Sequence, residues 1–192
     1  MKAIPIQAAS HGRDLPPSSW IVAHAKRIPS SGTVLDYACG SGRHALYLAR
    51  LGYQVTAVDQ DEQMLALLME QAASQGLIIK TQVMDLEGPN WPWASGTQFD
   101  GVIVTNYLYR PYLPKIPSLL AIGGVLLYET FTQAHAQFGK PSNPDYLLKD
   151  QELMHLAQDQ GLEVLAFEDL QISSPKPACV QRLCAIQIQL NV

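Results

Sequence analysis

A short apolar segment that ends on an acid and continues into a glycine-rich turn most constrains how this chain can fold. The apolar residues 33–35 precede Asp36, small residues dominate positions 38–42, and a helix-like pattern begins at Arg43. This order is typical of a buried strand that leads through a tight turn into a helix. Because glycine has no Cβ, the backbone of such a turn can approach a ligand closely. The sequence therefore predicts a ligand site between this strand and this helix.

Strand-like and helix-like segments alternate through most of the chain. Seven strands are predicted, at Val34–Tyr37, Val55–Asp59, Ile78–Met84, Phe99–Thr105, Val125–Thr130, Glu163–Phe167 and Val180–Ile188. Helices are predicted before and between them, at Ser18–Ile28, Arg43–Leu51, Asp61–Gly76, Pro114–Ile122 and Asp150–Gln160. Alternation of this kind is typical of a parallel sheet that carries helices on both faces.

The last two strands are joined only by the Pro/Ser-rich stretch 172–177, which is too short for a crossover helix, so we expect them to be antiparallel. The predicted fold class is α/β, a single Rossmann-like doubly wound sheet of about seven strands, mostly parallel with a reversed C-terminal strand. We expect one domain over residues 1–192, which is long enough for one substantial core. Within it we expect an N-terminal helical cover (1–32), a cofactor-binding core (33–130), and a lid or helix with the terminal strand pair (131–192).

The composition argues against several classes of protein. A net charge of −4 and the lack of a dense Lys/Arg run do not suit a nucleic-acid-binding surface. The longest apolar stretch, 119–128, is too short to cross a bilayer, and no sustained apolar segment at the N-terminus resembles a signal peptide. Three cysteines without zinc or disulfide spacing suit a reducing compartment. We therefore expect a cytoplasmic protein without membrane, nucleic acid or metal partners; the oligomeric state stays open.

The glycine-rich turn admits two classes of ligand that contain adenosine. Residues 40–45 fit the G-x-G-x-x-A pattern of dinucleotide-binding proteins, and Asp59 lies at the distance of their ribose-binding acid. Asp36, however, would repel a pyrophosphate and suits a ligand that carries an amine or another cation. Asp85 follows the third strand, where a carboxylate can accept a hydrogen bond from an adenine amino group. These acids favour S-adenosylmethionine over NAD.

Five segments, in order and spacing, resemble the motifs of class I S-adenosylmethionine-dependent methyltransferases. They are Asp36–Gly42, Val58–Asp59, Val83–Asp85, Phe99–Ile103 and Ile122–Val125. Within that family the chain resembles the small bacterial tellurite-resistance-type methyltransferases, through Ala-Cys-Gly-Ser-Gly-Arg-His at 38–44 and Tyr-Glu-Thr-Phe at 128–131. The resemblance implies methyl transfer from S-adenosylmethionine by in-line displacement, with a small molecule as the acceptor.

The same resemblance implies which residues hold the cofactor. Asp59 is expected to accept hydrogen bonds from both ribose hydroxyls, and Asp85 from the adenine amino group. Gly40 and Gly42 are expected to line the methionine part, with Asp36 anchoring it directly or through water. The full predicted set is Asp36, Ala38, Gly40, Gly42, Asp59, Gln60, Asp85, Leu86 and Asn106.

No single general base emerges from the sequence. The candidates follow strands four and five, where loops at the ligand-binding edge of such a sheet carry function: Tyr107, Tyr109, Glu129 and His135. A soft acceptor such as a thiolate or a chalcogen anion would need no base. His44, at the start of a helix, is predicted to be an exposed or capping residue, and no histidine spacing indicates a metal site.

Three further expectations concern the acceptor and the alternatives. Asn-Tyr-Leu-Tyr at 106–109 departs from the Asn/Asp-Pro-Pro-Tyr/Phe motif of many enzymes that methylate amino groups of nucleic acids, which argues against such a substrate. The polar, Pro/Gly-rich stretch 138–146 is either a lid or a plain connection, and Arg110 is a candidate for contact with the substrate. An NAD-dependent oxidoreductase and a non-catalytic cofactor-binding module stay open as alternative functions.

Overall fold

A seven-stranded sheet forms the centre of the computed structural model, which describes residues 15–189. Its strands are β1 (Thr33–Tyr37), β2 (Gln54–Asp59), β3 (Ile79–Val83), β4 (Phe99–Thr105), β5 (Leu120–Phe131), β6 (Leu162–Ile172) and β7 (Ala178–Gln187). They lie in the order β3-β2-β1-β4-β5-β7-β6. Strands β1 to β5 pair in parallel, whereas β7 is antiparallel to both of its neighbours, β5 and β6. The predicted fold class and the antiparallel final pair are confirmed.

Within residues 15–189, four α-helices accompany the strands: α1 (Ser19–His24), α2 (Arg43–Arg50), α3 (Glu62–Ser74) and α4 (Glu152–Asp159). The start of α3 is fixed by Asp61, whose Oδ1 accepts hydrogen bonds from the backbone N–H groups of Gln63 (2.9 Å) and Met64 (3.1 Å). A side-chain acceptor at this position satisfies N–H groups that have no partner within the helix. Gly76, with φ +66°, follows the end of α3. These boundaries agree with the sequence pattern.

The helices cover both faces of the sheet, because successive side chains of a strand point to opposite sides. In β1, Val34 packs with buried residues of α1, α2 and α3, whereas Leu35 and Tyr37 pack with buried residues of α4 and of the β4–β5 connection. All three side chains are fully buried. The doubly wound arrangement therefore follows from the apolar character of both faces of the central strands.

The predicted helix at Pro114–Ile122 is wrong, because a 3₁₀ segment at Leu113–Leu119 occupies this connection and β5 already begins at Leu120. Pro114 stands at the start of the segment and Pro117 inside it. Each proline lacks a backbone N–H, and Pro117 lies too far along for the first turn of an α-helix, so a regular α-helix is disfavoured. The apolar residues that suggested a helical face are buried in a tighter turn instead.

The glycine pair that was expected before the fifth strand lies inside it, at 123–124. Phe99 of β4 pairs with Leu120, whereas Gly101 pairs with Val125, so the register shifts across the glycines. A Cβ at Gly124 would lie 2.9 Å from the carbonyl oxygen of Phe99, which no side chain tolerates. The pair therefore forms an irregularity within β5 rather than a turn in front of it.

The described residues that precede β1 pack against the sheet, whereas residues 1–14 of the expected N-terminal cover lie outside the described part of the chain. Helix α1 is followed by a 3₁₀ turn at Ala25–Arg27, and Trp20 and Ile21 are buried. The indole N–H of Trp20 donates to the carbonyl of Leu183 in β7 (3.3 Å). Among the helices of residues 15–189, none combines the length and the apolar composition that crossing a lipid bilayer requires.

Candidate functional site

A cavity of about 260 Å³ opens at the carboxyl ends of the central parallel strands. In open α/β sheets, ligands bind at this edge, where loops from several strands converge. Its lining residues follow β1 to β4: Ala38, Asp59, Gln60, Met84, Leu86, Glu87, Asn106 and Tyr107. A second hollow, of about 400 Å³, lies at the opposite edge, among residues such as Ser31 and Tyr53 that precede the strands. The position of the first cavity makes it the candidate site.

Backbone hydrogen bonds tie the glycine-rich turn to the end of β2. The N–H of Cys39 donates to the carbonyl of Val58 (2.9 Å), and the N–H of Gly40 donates to Oδ2 of Asp59 (2.7 Å). Gly42 has a φ of +74°, and a Cβ there would lie 2.4 Å from Leu68 of α3. A Cβ at Gly40 would meet no atom of the described chain within 4 Å. Gly42 is thus required by packing, whereas Gly40 leaves space on the surface of the turn.

Two backbone contacts fix the carboxylate of Asp59 at the cavity wall. Oδ2 accepts from Gly40 N–H, and Oδ1 accepts from Asp61 N–H (3.0 Å). Each carboxylate oxygen can accept a second hydrogen bond. Asp59 is only partly buried and lines the cavity, so both oxygens stay available to hydroxyl groups of a ligand.

Asp36 lies beneath the turn and is 1% exposed. Its Oδ2 accepts from the N–H of Ala45 (2.9 Å), whereas Oδ1 has no hydrogen-bond partner within residues 15–189. Burial raises the pKa of Asp36 to about 7, against the opposing effects of the Ala45 N–H and of Arg43. A buried carboxylate oxygen without a partner is costly, and a nearby cation would relieve that cost.

Two residues of the cavity wall that are not glycine adopt a left-handed backbone conformation. Ala38, after β1, has φ +55°, and Asn106, after β4, has φ +53°. Such angles are uncommon for residues with a Cβ and cost free energy, so they persist only where the surrounding structure imposes them. The Asn106 N–H is held by the carbonyl of Glu129 in β5 (2.9 Å). The cavity wall therefore contains one strained residue after β1 and one after β4, which are neighbouring strands of the sheet.

Of the four candidate bases, Tyr107 alone is among the described residues that line the cavity. Its hydroxyl donates to the carbonyl of Leu86 (3.1 Å), and its ring lies 5.5 Å from that of Tyr37. Burial, followed by the nearby Tyr37 and Glu87, raises the pKa of Tyr107. Tyr107 is therefore a neutral hydrogen-bond donor that holds the turn after β3, and it is poorly suited to accept a proton.

The other three candidates lie outside the cavity lining. Tyr109 packs edge-on against Tyr112, with ring centroids 5.2 Å apart. Glu129 is buried, and its Oε2 accepts from Nε of Arg182 (2.5 Å) and from the hydroxyl of Ser18 (3.0 Å). His135 is stacked on Phe131, the last residue of β5, at a centroid distance of 4.2 Å. The structure does not bring these candidates together.

His44 is buried, at 1% exposure, and the expectation of an exposed or capping residue is wrong. Its Nε2 accepts from the backbone N–H of Ser18 (3.1 Å), so the proton of the neutral ring lies on Nδ1, which contacts the hydroxyl of Thr105 (3.2 Å). Burial, and next Arg43, lowers the pKa of His44 to about 3. The imidazole is a neutral link between the N-terminal segment and β4. His44 is buried partly because Ser18, 26 positions earlier, bonds to it. The residues around position 44 give no sign of this distant partner.

Asp85 is not among the described residues that line the cavity, although its neighbours Met84 and Leu86 are. Asp85 is exposed, and its Oδ1 accepts from the N–H of Glu87 two residues later (2.9 Å). Met84 and Glu87, which the sequence analysis did not select, line the cavity in its place. A glutamate in a polar turn follows no recognisable motif, so nothing in the sequence singled it out. Within residues 15–189, no group of three or more His, Cys, Asp or Glu residues is arranged to hold a metal ion.

Comparison with known proteins identifies the domain that carries this cavity. Residues 34–123 match the family model of a methyltransferase domain. The probable S-adenosyl-L-methionine-dependent methyltransferase TehB of Haemophilus influenzae is 42% identical over 99 residues, which cover 52% of this chain and 33% of TehB. The crystal structure of TehB superimposes with a TM-score of 0.71 and 25% identity, over 86% of this chain and 61% of that one. Residues 34–123 are thus similar to a methyltransferase domain, and the chain shares the fold of TehB.

Two further methyltransferases are similar to this chain, one in sequence and one in fold. The ubiquinone biosynthesis O-methyltransferase of Dinoroseobacter shibae is 32% identical over 149 residues, 74% of this chain and 55% of that protein. The magnesium protoporphyrin IX methyltransferase of Synechocystis, solved with S-adenosylmethionine bound, shares the fold at a TM-score of 0.63 and 20% identity, over 88% and 74% of the two chains. The aligned part spans only a third of TehB. These comparisons agree with the expected family and its cofactor.

Proposed function

We propose that this protein transfers the methyl group of S-adenosylmethionine to a small-molecule acceptor. The observation that carries the proposal is Asp36, whose buried oxygen has no partner among the described residues and which stands two positions before Ala38, a residue of the cavity wall. This arrangement suits a ligand that combines an ammonium group with a ribose, as S-adenosylmethionine does. The names of the relatives, TehB and a ubiquinone biosynthesis O-methyltransferase, support a methyltransferase with a small acceptor.

The proposed roles follow the positions of the side chains. Asp59 accepts from the two ribose hydroxyls, because its two oxygens are preset by backbone N–H groups. Leu86 packs on the adenine ring, and Asp36 faces the ammonium group of the methionine part. The cofactor supplies a methyl group that is already activated on a positively charged sulfur. The chain itself aligns the reactants and excludes water.

The remaining predicted residues surround the same ligand. Ala38 and the backbone of Gly40 and Gly42 line the methionine part, Gln60 stands beside the ribose, and Asn106 stands at the methyl end. Ala38, Gln60 and Asn106 line the cavity, which supports these assignments. The strained backbone at Ala38 and Asn106 gives this edge a fixed shape before the ligand arrives.

We further propose an acceptor that is already a soft anion, such as a thiolate or a chalcogen anion. The candidate that lines the cavity, Tyr107, donates its hydrogen bond and has a raised pKa. Glu129 is engaged by Arg182. Neither residue is placed to take a proton from an acceptor, whereas a soft anion has no proton to lose and needs no base.

The organisation of the whole protein is part of the same proposal. One domain extends over the cofactor-binding core, the N-terminal cover and the terminal strand pair. The three cysteines are free, which supports a reducing, cytoplasmic location. A net charge of −4 supports a small molecule rather than a nucleic acid as substrate.

Calorimetric titration with S-adenosylmethionine, S-adenosylhomocysteine and NAD tests the cofactor. We expect the first two to bind and Asp59→Ala to weaken their binding by at least about tenfold, because a charged acceptor of two hydroxyls is lost. Asp61→Ala is the matched control, since this neighbouring acid caps α3 and leaves the cavity unchanged. Binding of NAD alone would indicate an oxidoreductase. Binding of none of the three ligands would overturn the cofactor assignment.

The acceptor is tested with S-adenosylmethionine that carries a labelled methyl group. The panel contains thiols, tellurite, selenite, phenols, tRNA and duplex DNA. We expect label on a soft anion, because none of the four candidate bases is placed within the described residues to take a proton at the cavity. We expect none on the nucleic acids, because the net charge is −4. Label on a phenol alone would contradict the proposed acceptor class but not the methyltransferase activity. Binding of the cofactor without transfer to any acceptor would favour a non-catalytic module.

A further inference from the structure

Residues 15–18 form a strap that contacts the first turn of α2 before α1 begins. Nη1 of Arg43 donates to the carbonyl of Pro16 (3.3 Å), and the backbone N–H of Ser18 donates to Nε2 of His44 (3.1 Å). Arg43 and His44 are the first two residues of α2 and directly follow the glycine-rich turn. The strap is therefore attached beside the turn that is proposed to line the methionine part of the cofactor.

A further contact attaches the strap to β5. The hydroxyl of Ser18 donates to Oε2 of Glu129 (3.0 Å). Glu129 is buried and pairs with Arg182 of β7, so it offers the strap a fixed acceptor. A hydrogen bond to a charged group contributes more than one between two neutral groups. The contact between Ser18 and Glu129 is therefore the latch of the strap.

The residues that hold the strap adjoin the wall of the cavity. Nδ1 of His44 contacts the hydroxyl of Thr105 (3.2 Å), and Thr105 directly precedes Asn106. The backbone carbonyl of Glu129 accepts from the N–H of Asn106 (2.9 Å). Asn106 itself lines the cavity. The strap thus borders the cavity wall at the ends of β4 and β5.

The order of the strands places the strap at one end of a ligand that lies along the edge of the sheet. Asp59, the proposed ribose-binding residue, ends β2, whereas the strap is bonded to β5. The order β2-β1-β4-β5 puts β1, with Asp36, between them. A ligand with its ribose at Asp59 and its ammonium group near Asp36 therefore extends towards the strap and away from β3. The strap stands at the methionine end of this ligand.

The strap is held less firmly than the helix that follows it. Leu15 and Pro16 are exposed, and neither Pro16 nor Pro17 has a backbone N–H to donate. Among the described residues, three hydrogen bonds attach the strap to α2 and β5. In α1, by contrast, Trp20 is buried and its indole N–H bonds to the carbonyl of Leu183. Segments with few buried apolar contacts open locally at a low free energy, so the strap can open while α1 stays in place.

We propose that the strap is a gate over the methionine end of the cofactor site, and that its latch sets how fast S-adenosylhomocysteine leaves. This inference rests on the proposed function, because it assumes that cofactor. The closed strap excludes water during methyl transfer, and its opening releases the product. Ser18 and Glu129 are thus positioning residues, which gives the buried glutamate a role other than that of a base.

The dissociation rates of two ligands test the gate. One is S-adenosylhomocysteine, and the other is 5′-methylthioadenosine, which has the same nucleoside but lacks the amino-acid part. Stopped-flow displacement measures both rates for the unaltered protein, Ser18→Gly and Ser18→Thr. Glycine removes the hydroxyl of the latch but is tolerated at the N-cap of α1, whereas threonine keeps a hydroxyl for both the latch and the cap.

We expect Ser18→Gly to release S-adenosylhomocysteine about tenfold faster, because a hydrogen bond to a charged acceptor is lost. The release of 5′-methylthioadenosine should stay within about threefold of the unaltered protein, because this shorter ligand ends before the strap. Ser18→Thr should leave both rates unchanged. Equal acceleration of both ligands in Ser18→Gly would indicate a general loosening of the site and overturn the inference, as would unchanged release of S-adenosylhomocysteine in this variant when it is folded.

Hydrogen exchange in the unaltered protein tests the gate independently of any variant. We expect the N–H of Ser18 to be less protected than the indole N–H of Trp20 in the free protein. Saturating S-adenosylhomocysteine should slow exchange at Ser18 at least about tenfold. If the bound ligand leaves exchange at Ser18 unchanged, the strap does not close on it and the inference is wrong. Failure of the unaltered protein to bind S-adenosylhomocysteine would instead overturn the proposed function.

Discussion

Asp36 is a buried acid whose pKa differs between the unfolded chain and the folded protein. In the unfolded chain its pKa is near 3.8, whereas burial raises it to about 7 in the folded protein. As the pH rises between these values, the unfolded state gives up its proton before the folded state does. The carboxyl therefore reduces stability progressively as the pH rises through this window, and the full loss is present above the folded pKa.

We predict that Asp36→Asn flattens the pH dependence of unfolding between about pH 4 and about pH 7. One pKa unit corresponds to roughly 1.4 kcal/mol, so the ligand-free protein should lose on the order of 3–4 kcal/mol of stability across this window relative to the variant. Urea denaturation at several pH values measures the difference. If the free energy of unfolding depends on pH in the same way in both proteins, the pKa of Asp36 is not raised in the folded state and the prediction is wrong.

Acidic residues only two positions apart have different contacts in this protein. Asp59 and Asp61 stand two positions apart, yet the first lines the cavity and the second caps α3. Asp85 and Glu87 have the same spacing, and there the first bonds to the turn while the second lines the cavity. In each pair the backbone path decides which of the two acids lines the cavity.

At the scale of elements, the segment between β5 and α4 is attached to the loop after β4 by Arg110. Its guanidinium donates to the carbonyls of Asp145 and Leu147 (each 2.6 Å) and to both carboxylate oxygens of Glu152 (each 3.0 Å). Leu148 also forms a parallel bridge with Thr132. Arg110 is thus occupied by main-chain and carboxylate acceptors, which argues against its expected contact with a substrate and favours a fixed connection over a lid.

We predict that Arg110→Lys loosens residues 138–148 without weakening the binding of S-adenosylhomocysteine. A lysine cannot reproduce the planar set of donors that reaches several acceptors together. Limited proteolysis should cut this segment faster, and calorimetry should give an affinity within about threefold of the unaltered protein. Arg50→Lys is the control, because Arg50 is exposed and bonds only to Gln75 among the described residues. A large loss of affinity in Arg110→Lys would instead assign this segment to the cofactor site.

The N-terminal helix is a second element whose attachment depends on distant partners. Ser18 joins α1 to β5 through Glu129 and to α2 through His44. Arg182 of β7 pairs with the same glutamate and with Glu168 of β6. Buried charges of this kind are tolerated only when they are paired. Glu129 is therefore part of the attachment of the N-terminal segment.

At the scale of the whole molecule, local pattern accounted for much of the fold. All seven strands lie where alternating or continuous apolar segments predicted them, and the caps and glycines predicted where α3 begins and ends. The reversed strand followed from the length of the 172–177 connection. These features depend on residues that are only a few positions apart, so they can be predicted from short segments of the sequence.

The predicted helix at Pro114–Ile122 failed for a reason that was itself local. Its apolar spacing suited a helix, but two prolines favour the tighter 3₁₀ turn. Asp59, Ala38 and Asn106 were found at the cavity because the carboxyl ends of parallel strands meet at one edge. Their common position follows from topology, so the sequence sufficed for them.

By itself, the sequence determined the α/β fold, the family and the edge of the sheet at which a ligand binds. The tertiary structure alone decided that Glu129 is paired with Arg182, 53 positions away, and with Ser18, 111 positions away. It also decided that His44 is buried and that Glu87 lines the cavity while Asp85 does not. The physical reason is that burial and pairing depend on which distant groups share a small volume, and no local pattern encodes that neighbourhood.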